Sequence, residues 1–368
     1  MNADSAFMET ALALGRRGWG RVWPNPAVGC VLVRDGHVVG RGWTGEGGRP
    51  HAETEALRRA GAHATGATAY VTLEPCSHHG RTPPCAEALV AAGVARVVVA
   101  IEDPDSRVRG QGFARLREAG LDVMTGVCAA QARADHAGFL LRVTAARPLV
   151  TLKLATTLDG RIATRTGESR WITGAAARAQ AHRLRGEHDA IMVGIGTVLV
   201  DDPNLTCRLP GLADHSPVRV VVDSRLRLSP RAKTCNGAAP TWVLCTEGAA
   251  AHGPEAAALV TRGVEILPLP ADHDGRPPLP ALLAALAARG LTRLLVEGGG
   301  QLAAALLRHG LVDRLVWFQA PKIIGGDGVP AVAALGLDRL ADGPLFRRTE
   351  TVPVGEDVMT FCERDGMV

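Results

Sequence analysis

Apolar runs separated by glycine- and proline-bearing breaks divide this chain into two successive series of short elements. Within Phe7 to Arg17, Met8, Leu12 and Leu14 give an apolar side at helical spacing. Trp23-Pro24-Asn25-Pro26 stops any helix, because each proline fixes its own φ and restricts the residue before it. Ala27 to Val33 and His37 to Trp43 read as strands, and the Arg34-Asp35-Gly36 break between them predicts an antiparallel hairpin. Thr68 to Leu73 has the pattern of a buried strand, Ala86 to Ala92 is helical, Arg96 to Ile101 is a strand and Gly112 to Ala119 a helix. Gln131 to Val143 reads as a last helix, stopped at Arg147-Pro148. This first series makes a complete α/β/α layered domain.

A second series opens at Leu149-Val150-Thr151-Leu152-Lys153-Leu154-Ala155 and sets a boundary near 146. Strand-like runs recur at Ala190 to Val193, Val218 to Val222, Thr241 to Leu244, Leu294 to Glu297 and Arg314 to Gln319, with helical stretches between several of them. A chain of 368 residues is long for one domain, and we expect two, 1–146 and 147–368. With 46% hydrophobic and 21% charged residues, each has material for its own core.

The chemistry concentrates between His51-Ala52-Glu53 and Pro75-Cys76-Ser77-His78-His79-Gly80-Arg81-Thr82-Pro83-Pro84-Cys85. His51, Cys76 and Cys85 supply one imidazole and two thiols, a set that suits Zn2+ and leaves the fourth tetrahedral position open for water. Such a water is acidified by the metal, and a nearby carboxylate that is not itself a ligand can carry its proton; Glu53 is that carboxylate. Residues i and i+2 in a helix interior point about 200° apart, so His51 and Glu53 address one ion only from a first turn. His51 is therefore placed at a helix N-terminus, after the Gly45 to Pro50 loop. A second helix from about Pro83 brings Cys85 in the same way, its dipole favouring a thiolate. His78 and His79 could replace a ligand or touch substrate; we assign them as loop residues at the mouth of the site. Ligands from helix starts and a strand end put the metal at one edge of a sheet.

These motifs resemble the zinc-dependent cytidine and purine deaminase superfamily, whose signature is H-x-E with P-C-x-x-C. Here eight residues, 77–84, separate the two cysteines. That spacing, and the long run from Pro75 to Cys85, is similar to the riboflavin-biosynthesis pyrimidine deaminases. The resemblance implies a cytidine-deaminase-like fold and a substrate contact from Asn25. Two flanking prolines fix the Asn25 backbone, so its amide could be presented to a flat ring; the plain alternative is a turn-forming residue.

Two glycine-bearing junctions mark the second half. Ile191-Met192-Val193-Gly194-Ile195-Gly196-Thr197 runs from a strand into a Gly-x-Gly turn, and Leu295-Val296-Glu297-Gly298-Gly299-Gly300-Gln301 runs into three glycines and an Ala/Leu helix. Both permit close approach of backbone to phosphate, yet neither is the G-x-G-x-x-G fingerprint of an ordinary dinucleotide fold. Together with Lys153 to Arg161, Ser169 to Thr173 and Gly196 to Arg208, they resemble the reductase half of the bifunctional riboflavin-biosynthesis deaminase-reductases. That half has a dihydrofolate-reductase-like α/β fold and uses NADPH. The resemblance implies NADPH contacts from Ala155, Trp171, Thr197, Asp201, Ser224 and the helix start Gly299, Gly300, Gln301, Leu302, Ala303, Ala304 and Ala305. It implies substrate contacts from Ser169, Arg185, Leu205, Arg208 and Glu297. The two arginines are chemically suited to grip a ribose phosphate bidentately. Lys153 and Asp159 are further candidates to face the substrate.

Charge and cysteine usage narrow the partners. The formal charge is +4, the pI is near 8.7, and aromatics are 4%, without the basic stripe interleaved with aromatics that a nucleic-acid binder shows. Eight cysteines in this length are not a disulfide scaffold, no apolar run reaches the ~18 residues of a membrane span, and Met1 to Arg17 lacks the pattern of an export leader. We expect a cytoplasmic enzyme with Zn2+ and NADPH, acting on small phosphoribosylated pyrimidines and assembling as a homo-oligomer through the reductase domain. Neither nucleic acid nor membrane is an expected partner. Hydrolytic loss of the 2-amino group of a diaminopyrimidinone ribotide would be followed by reduction of its ribosyl group to ribityl. The alternatives are a nucleic-acid editing deaminase with a C-terminal binding module, disfavoured by the cysteine spacing and the charge, and a zinc-stabilised binding protein, which needs a fourth protein ligand.

Overall fold

At the Asp-Gly break the backbone makes a tight turn, with φ of 51° at Asp35 and 77° at Gly36. Positive φ at both central residues matches the right-handed twist of the strands it joins, β1 (Gly29–Arg34) and β2 (His37–Trp43). The computed structural model describes residues 2–78, 83–250 and 253–366, and the chain divides into two units that part between Ala146 and Arg147.

In the first unit, α1 (Ala3–Gly15) precedes the hairpin and α2 (Ala52–Ala60) follows it. Strands β3 (Thr68–Val71), β4 (Arg96–Val99) and β5 (Asp122–Thr125) alternate with α3 (Cys85–Ala91), α4 (Gln111–Glu118) and α5 (Ala129–Ala145). The sheet order is β2-β1-β3-β4-β5; β1 is antiparallel to both its neighbours, and β3, β4 and β5 are parallel. Two glycines show how the layers form. Gly29 and Cys30 are consecutive in β1 and face opposite sides, and Cys30 is paired with Gly42 of β2. A Cβ at Gly29 would collide with the Ala11 carbonyl of α1, and one at Gly42 with the Ala52 carbonyl of α2. The two helices therefore cover opposite faces, enclosing Leu32, Val71, Val98 and their neighbours. The sequence pattern missed β5 because this edge strand is half-exposed and carries no apolar run.

The second unit runs β6 (Leu149–Thr157), β7 (Arg161–Ala163), α6 (Ala175–Gly186), β8 (Ala190–Gly194), α7 (Ile195–Asp201), β9 (Val218–Val222) and β10 (Thr241–Thr246). It continues with α8 (Glu247–Ala250), α9 (Pro254–Thr261), β11 (Val264–Leu269), α10 (Leu279–Ala288), β12 (Arg293–Val296) and α11 (Gly300–Arg308). β13 (Arg314–Ala320), β14 (Val329–Pro330), β15 (Phe346–Val354) and β16 (Asp357–Arg364) complete it. Nine strands form one sheet in the order β11-β10-β9-β8-β12-β6-β13-β16-β15, while β7 and β14 pair separately. Neighbours from β11 to β13 are parallel, and β16 is antiparallel to β13 and β15. The chain steps outward from β8 to β11, then returns to insert β12 between β8 and β6. Such a reversal opens a crevice at the carboxyl ends of the strands involved. Two sequence expectations change here: the Gly-x-Gly stretch is no free turn, since Gly194 is the N-cap of α7 and Gly196 lies inside it, and the β15–β16 hairpin went unread because β15 is largely exposed.

Gly42 carries a direct test of this packing. Gly42→Ala forces α2 off the hairpin, and a loss of about 2–3 kcal/mol is expected, as for other overpacked cores. Urea denaturation of the purified chain measures it; an unchanged midpoint would mean that α2 is not held by this contact.

Candidate active sites

His51 is the N-cap of α2 and Glu53 lies in its first turn; Pro84 is the N-cap of α3 and Cys85 its first residue. Cys76 arrives on the segment that follows β3. His51 Nδ1 stands 3.2 Å from Cys85 Sγ and 3.6 Å from Cys76 Sγ, and the Cys85 amide donates to Cys76 Sγ at 3.3 Å. All three ligand atoms lie within 4.8 Å of one another. Usual Zn–N and Zn–S bond lengths at a tetrahedral angle put the two donors about 3.6 Å apart, so this cluster has the dimensions of a zinc site. His78 is exposed and stands outside the cluster, while His79 lies outside the described residues.

The electrostatics suit the same use. A hydrogen bond from the Cys85 thiol, helped by His51, brings the Cys76 thiol down to about 4, and that shared proton pushes Cys85 well above the usual thiol value. A divalent cation displaces that proton on binding both sulfurs. Burial, reinforced by the Cys76 thiolate, raises the Glu53 carboxyl to about 6, with His51 opposing. Asn25 packs against Gly48 (φ 87°), inside the loop that leads to His51; any side chain at Gly48 would displace it. Glu74, whose part the sequence did not disclose, anchors the segment before Cys76. Its Oε2 accepts from the Asp103 and Gly110 amides at 3.2 and 3.0 Å, and its Oε1 from Gly112 and Phe113 at 2.9 and 3.4 Å.

In the second unit the two glycine junctions meet at the ends of neighbouring strands β8 and β12. A Cβ at Gly298 would lie 3.3 Å from Thr197 Oγ1, and one at Gly299 3.6 Å from it. Gly299 is the N-cap of α11, with Gly300, Gln301 and Leu302 in the first turn and no side chain capping them. Beyond the first turn, Ala303 and Ala304 are buried and Ala305 is half-buried. Ala155 lies in β6 and Asp201 ends α7, where its carbonyl accepts from Arg170 at 3.2 Å. Trp171 is exposed beneath Arg178 at 4.5 Å, and its carbonyl accepts from Lys322 Nζ at 2.9 Å. Ser224, just beyond β9, accepts from the Thr246 amide at 3.2 Å.

Glu297 follows β12 directly and is met by a full guanidinium fork. Arg185 Nε donates to Oε1 at 2.7 Å and Nη2 to Oε2 at 2.9 Å, while Nη1 donates to the Thr206 carbonyl at 3.0 Å. Lys153 Nζ adds a contact to Oε2 at 3.3 Å. The fork that was expected to grip a phosphate is thus engaged by Glu297, and the guanidinium at the surface is that of Arg208. Burial alone would raise Glu297; Arg185 and Lys153 outweigh it and hold the carboxyl well below its usual range. Ser169 is half-buried. Leu205 (φ 55°) packs its side chain into the core, so it can offer a ligand only backbone.

Two family models match. The cytidine and deoxycytidylate deaminase zinc-binding region matches residues 1–101, and the RibD C-terminal domain matches residues 148–360. The riboflavin biosynthesis protein RibD of Escherichia coli (strain K12) is 43% identical over 366 residues, 96% of this chain and 98% of that protein. The chain belongs to the RibD family. RibD of Aquifex aeolicus (strain VF5) is 41% identical, covering 98% of each chain. Among solved structures, Acinetobacter baumannii RibD, form 1, superposes with a TM-score of 0.88 at 38% identity over 98% of both chains. The diaminohydroxyphosphoribosylaminopyrimidine deaminase/5-amino-6-(5-phosphoribosylamino)uracil reductase of Thermotoga maritima gives 0.86 at 34%, over 98% of this chain and 99% of that one.

As a RibD family member the protein is a bifunctional enzyme of riboflavin biosynthesis, a cytidine-deaminase-like unit followed by a dihydrofolate-reductase-like one, with Zn2+ and NADPH as cofactors. It deaminates 2,5-diamino-6-(5-phosphoribosylamino)pyrimidin-4(3H)-one and reduces the ribosyl group of 5-amino-6-(5-phosphoribosylamino)uracil to ribityl. The family does not favour the nucleic-acid editing alternative.

The Arg185 and Glu297 side chains are 13% and 9% exposed. Removing one charge leaves the other unpaired, and Glu297→Gln is expected to cost the reductase unit about 3 kcal/mol, read as a lower urea midpoint. Because Glu297 is depressed, its stabilisation is full at neutral pH and is lost as pH falls below about 4.3 towards the lower folded value. Equal stability of wild type and variant at pH 7 would contradict the assignment.

Proposed function

We propose that His51, Cys76 and Cys85 hold the Zn2+, that Glu53 is the catalytic proton carrier of the deaminase, and that Glu297 and Arg208 seat the ribosylated substrate in the reductase. The observation that carries this reading is a three-donor cluster of zinc dimensions beside a buried carboxyl. When bound, Zn2+ supplies an acidified water as nucleophile. Glu53, raised to about 6, would take a proton from that water on its carboxyl oxygen and pass it to the ring nitrogen and the departing amine. The Asn25 amide orients the flat pyrimidine beside it.

In the second unit NADPH supplies the hydride. The first turn of α11, Gly300 to Leu302 after the Gly299 N-cap, offers uncapped amides to a cofactor phosphate, beside Thr197 and Ala155. Trp171, Asp201 and Ser224 complete the cofactor contacts. Glu297, kept ionised by Arg185 and Lys153, accepts hydroxyls of the ribosyl group, and Arg208 meets the phosphate with Ser169 and the Leu205 backbone beside it. We also read the chain as a cytoplasmic homo-oligomer joined through the reductase unit. Eight free thiols suit a reducing compartment, and Leu340 and Leu345, 99% and 77% exposed, supply apolar surface for such a contact. Among the described residues no helix is long and apolar enough to cross a membrane.

Two substitutions separate the halves. Glu53→Gln is expected to lower ammonia release by roughly 10²–10⁴-fold while zinc content and NADPH oxidation on deaminated substrate persist; loss of both activities would contradict independent sites. Arg208→Ala is expected to raise KM for 5-amino-6-(5-phosphoribosylamino)uracil about tenfold or more with little change in kcat. An unchanged KM removes Arg208 from the phosphate contact.

A further inference from the structure

His182 lies on α6 one turn before Arg185, and its half-buried ring faces Arg185, Arg208 and Glu297. Its Nδ1 accepts from the Arg208 backbone amide at 3.3 Å, and its own carbonyl accepts from Cys207 Sγ at 3.2 Å. Arg185 Nη1, a turn later, holds the Thr206 carbonyl at 3.0 Å. One side of α6 thus grips three consecutive residues of the segment that presents Arg208.

Upstream the segment is held by the buried Leu205 and Cys207 and by Asn236, whose Nδ2 donates to Asn204 Oδ1 at 3.3 Å. It has no regular structure of its own, and both Asp202 (φ 39°) and Leu205 (φ 55°) adopt left-handed backbone. Lys233 N to Asp202 Oδ1 at 2.8 Å and Cys207 N to Ser216 Oγ at 3.1 Å tie it elsewhere, but the amide of Arg208 itself is taken by His182.

We propose that His182 is a positioning residue of the reductase: by accepting the Arg208 amide, its neutral ring sets the direction from which the Arg208 guanidinium meets the substrate phosphate. This rests on the reading that Arg208 contacts that phosphate. The role requires an unprotonated Nδ1 with the ring proton on Nε2. Burial first, then Arg185 and Arg208, lower the ring to about 4 against the pull of Glu297 and of the Thr206 backbone, so it is neutral at physiological pH. The residue acts through Arg208 and needs no contact with the reacting atoms.

The test is steady-state kinetics of the full-length enzyme with 5-amino-6-(5-phosphoribosylamino)uracil and NADPH, with ammonia release by the deaminase unit as a check on folding. His182→Leu is expected to raise KM for the uracil substrate roughly three- to tenfold, the worth of one hydrogen bond, with kcat and KM for NADPH held within about twofold. His182→Asn, whose Oδ1 sits close to the Nδ1 position, restores most of the loss. In an Arg208→Ala background, His182→Leu adds nothing further. If His182→Leu fails to fold, His182→Gln, whose acceptor sits at the Nε2 position, replaces it with the same expectation. A normal KM in His182→Leu beside a raised one in Arg208→Ala overturns the positioning role and leaves the phosphate reading standing. Additive effects in the double variant, equal damage from Leu and Asn, or a fall in kcat alone also overturn it. A normal KM in Arg208→Ala overturns the phosphate reading and this role with it.

Discussion

Gly40 and Gly42 let α2 lie directly on the β1–β2 hairpin, and the deaminase site depends on that approach. Added Cβ atoms at these positions would strike the carbonyls of Ala56 and Ala52. With a larger residue the helix would stand off the sheet, taking its His51 N-cap and Glu53 with it. Cys76 comes on a separate segment, after β3, that Glu74 ties down through four backbone amides. A tetrahedral site tolerates little error in donor spacing, so two separate elements reaching it must each be fixed by backbone contacts. Glycine supplies one of these contacts and a buried carboxylate the other.

The reductase unit meets a similar demand with parallel-strand geometry. Returning β12 between β8 and β6 sets two glycine junctions side by side, and the small residues at Gly298 and Gly299 bring the second junction against Thr197. Helices α7 and α11 then both begin at the same edge of the sheet, and their first-turn amides point towards it. The crevice is a consequence of strand order, visible only once the order is known.

That difference marks what could be read from the chain. That His51, Cys76 and Cys85 would come together near Glu53 was legible because a zinc-type donor set restricts residue type and because helix-start placement follows from spacing. Buried parallel strands such as Val218–Val222 were legible as apolar runs, whereas edge elements such as β5 and β15 were not, since most of their residues face water. Arg185 shows the limit for side chains. Its guanidinium was expected to meet a ribose phosphate, and nothing in sequence spacing tells that a carboxylate, Glu297, just beyond β12 and more than a hundred residues later, takes its fork. His182 and Glu74 carried no motif at all; what distinguishes them is long-range hydrogen bonding to backbone, which leaves no pattern in the sequence.

The two units also show how one residue type is given opposite titration behaviour. Glu53 and Glu297 are both withdrawn from water, which by itself disfavours the charged form of each. Burial and a nearby thiolate raise Glu53, and His51 with hydrogen bonds from the backbone and Cys85 only partly offset them, so its carboxyl titrates near 6. Glu297 has a guanidinium fork at 2.7 and 2.9 Å and an ammonium at 3.3 Å, so the cations prevail and it stays ionised throughout the physiological range. A carboxyl near its midpoint can give and take a proton at little cost, whereas a permanently ionised one offers a fixed acceptor and cannot serve as an acid. The neighbours therefore set the two carboxyls apart: the first can exchange a proton not far from neutral pH, and the second offers a fixed, charged acceptor.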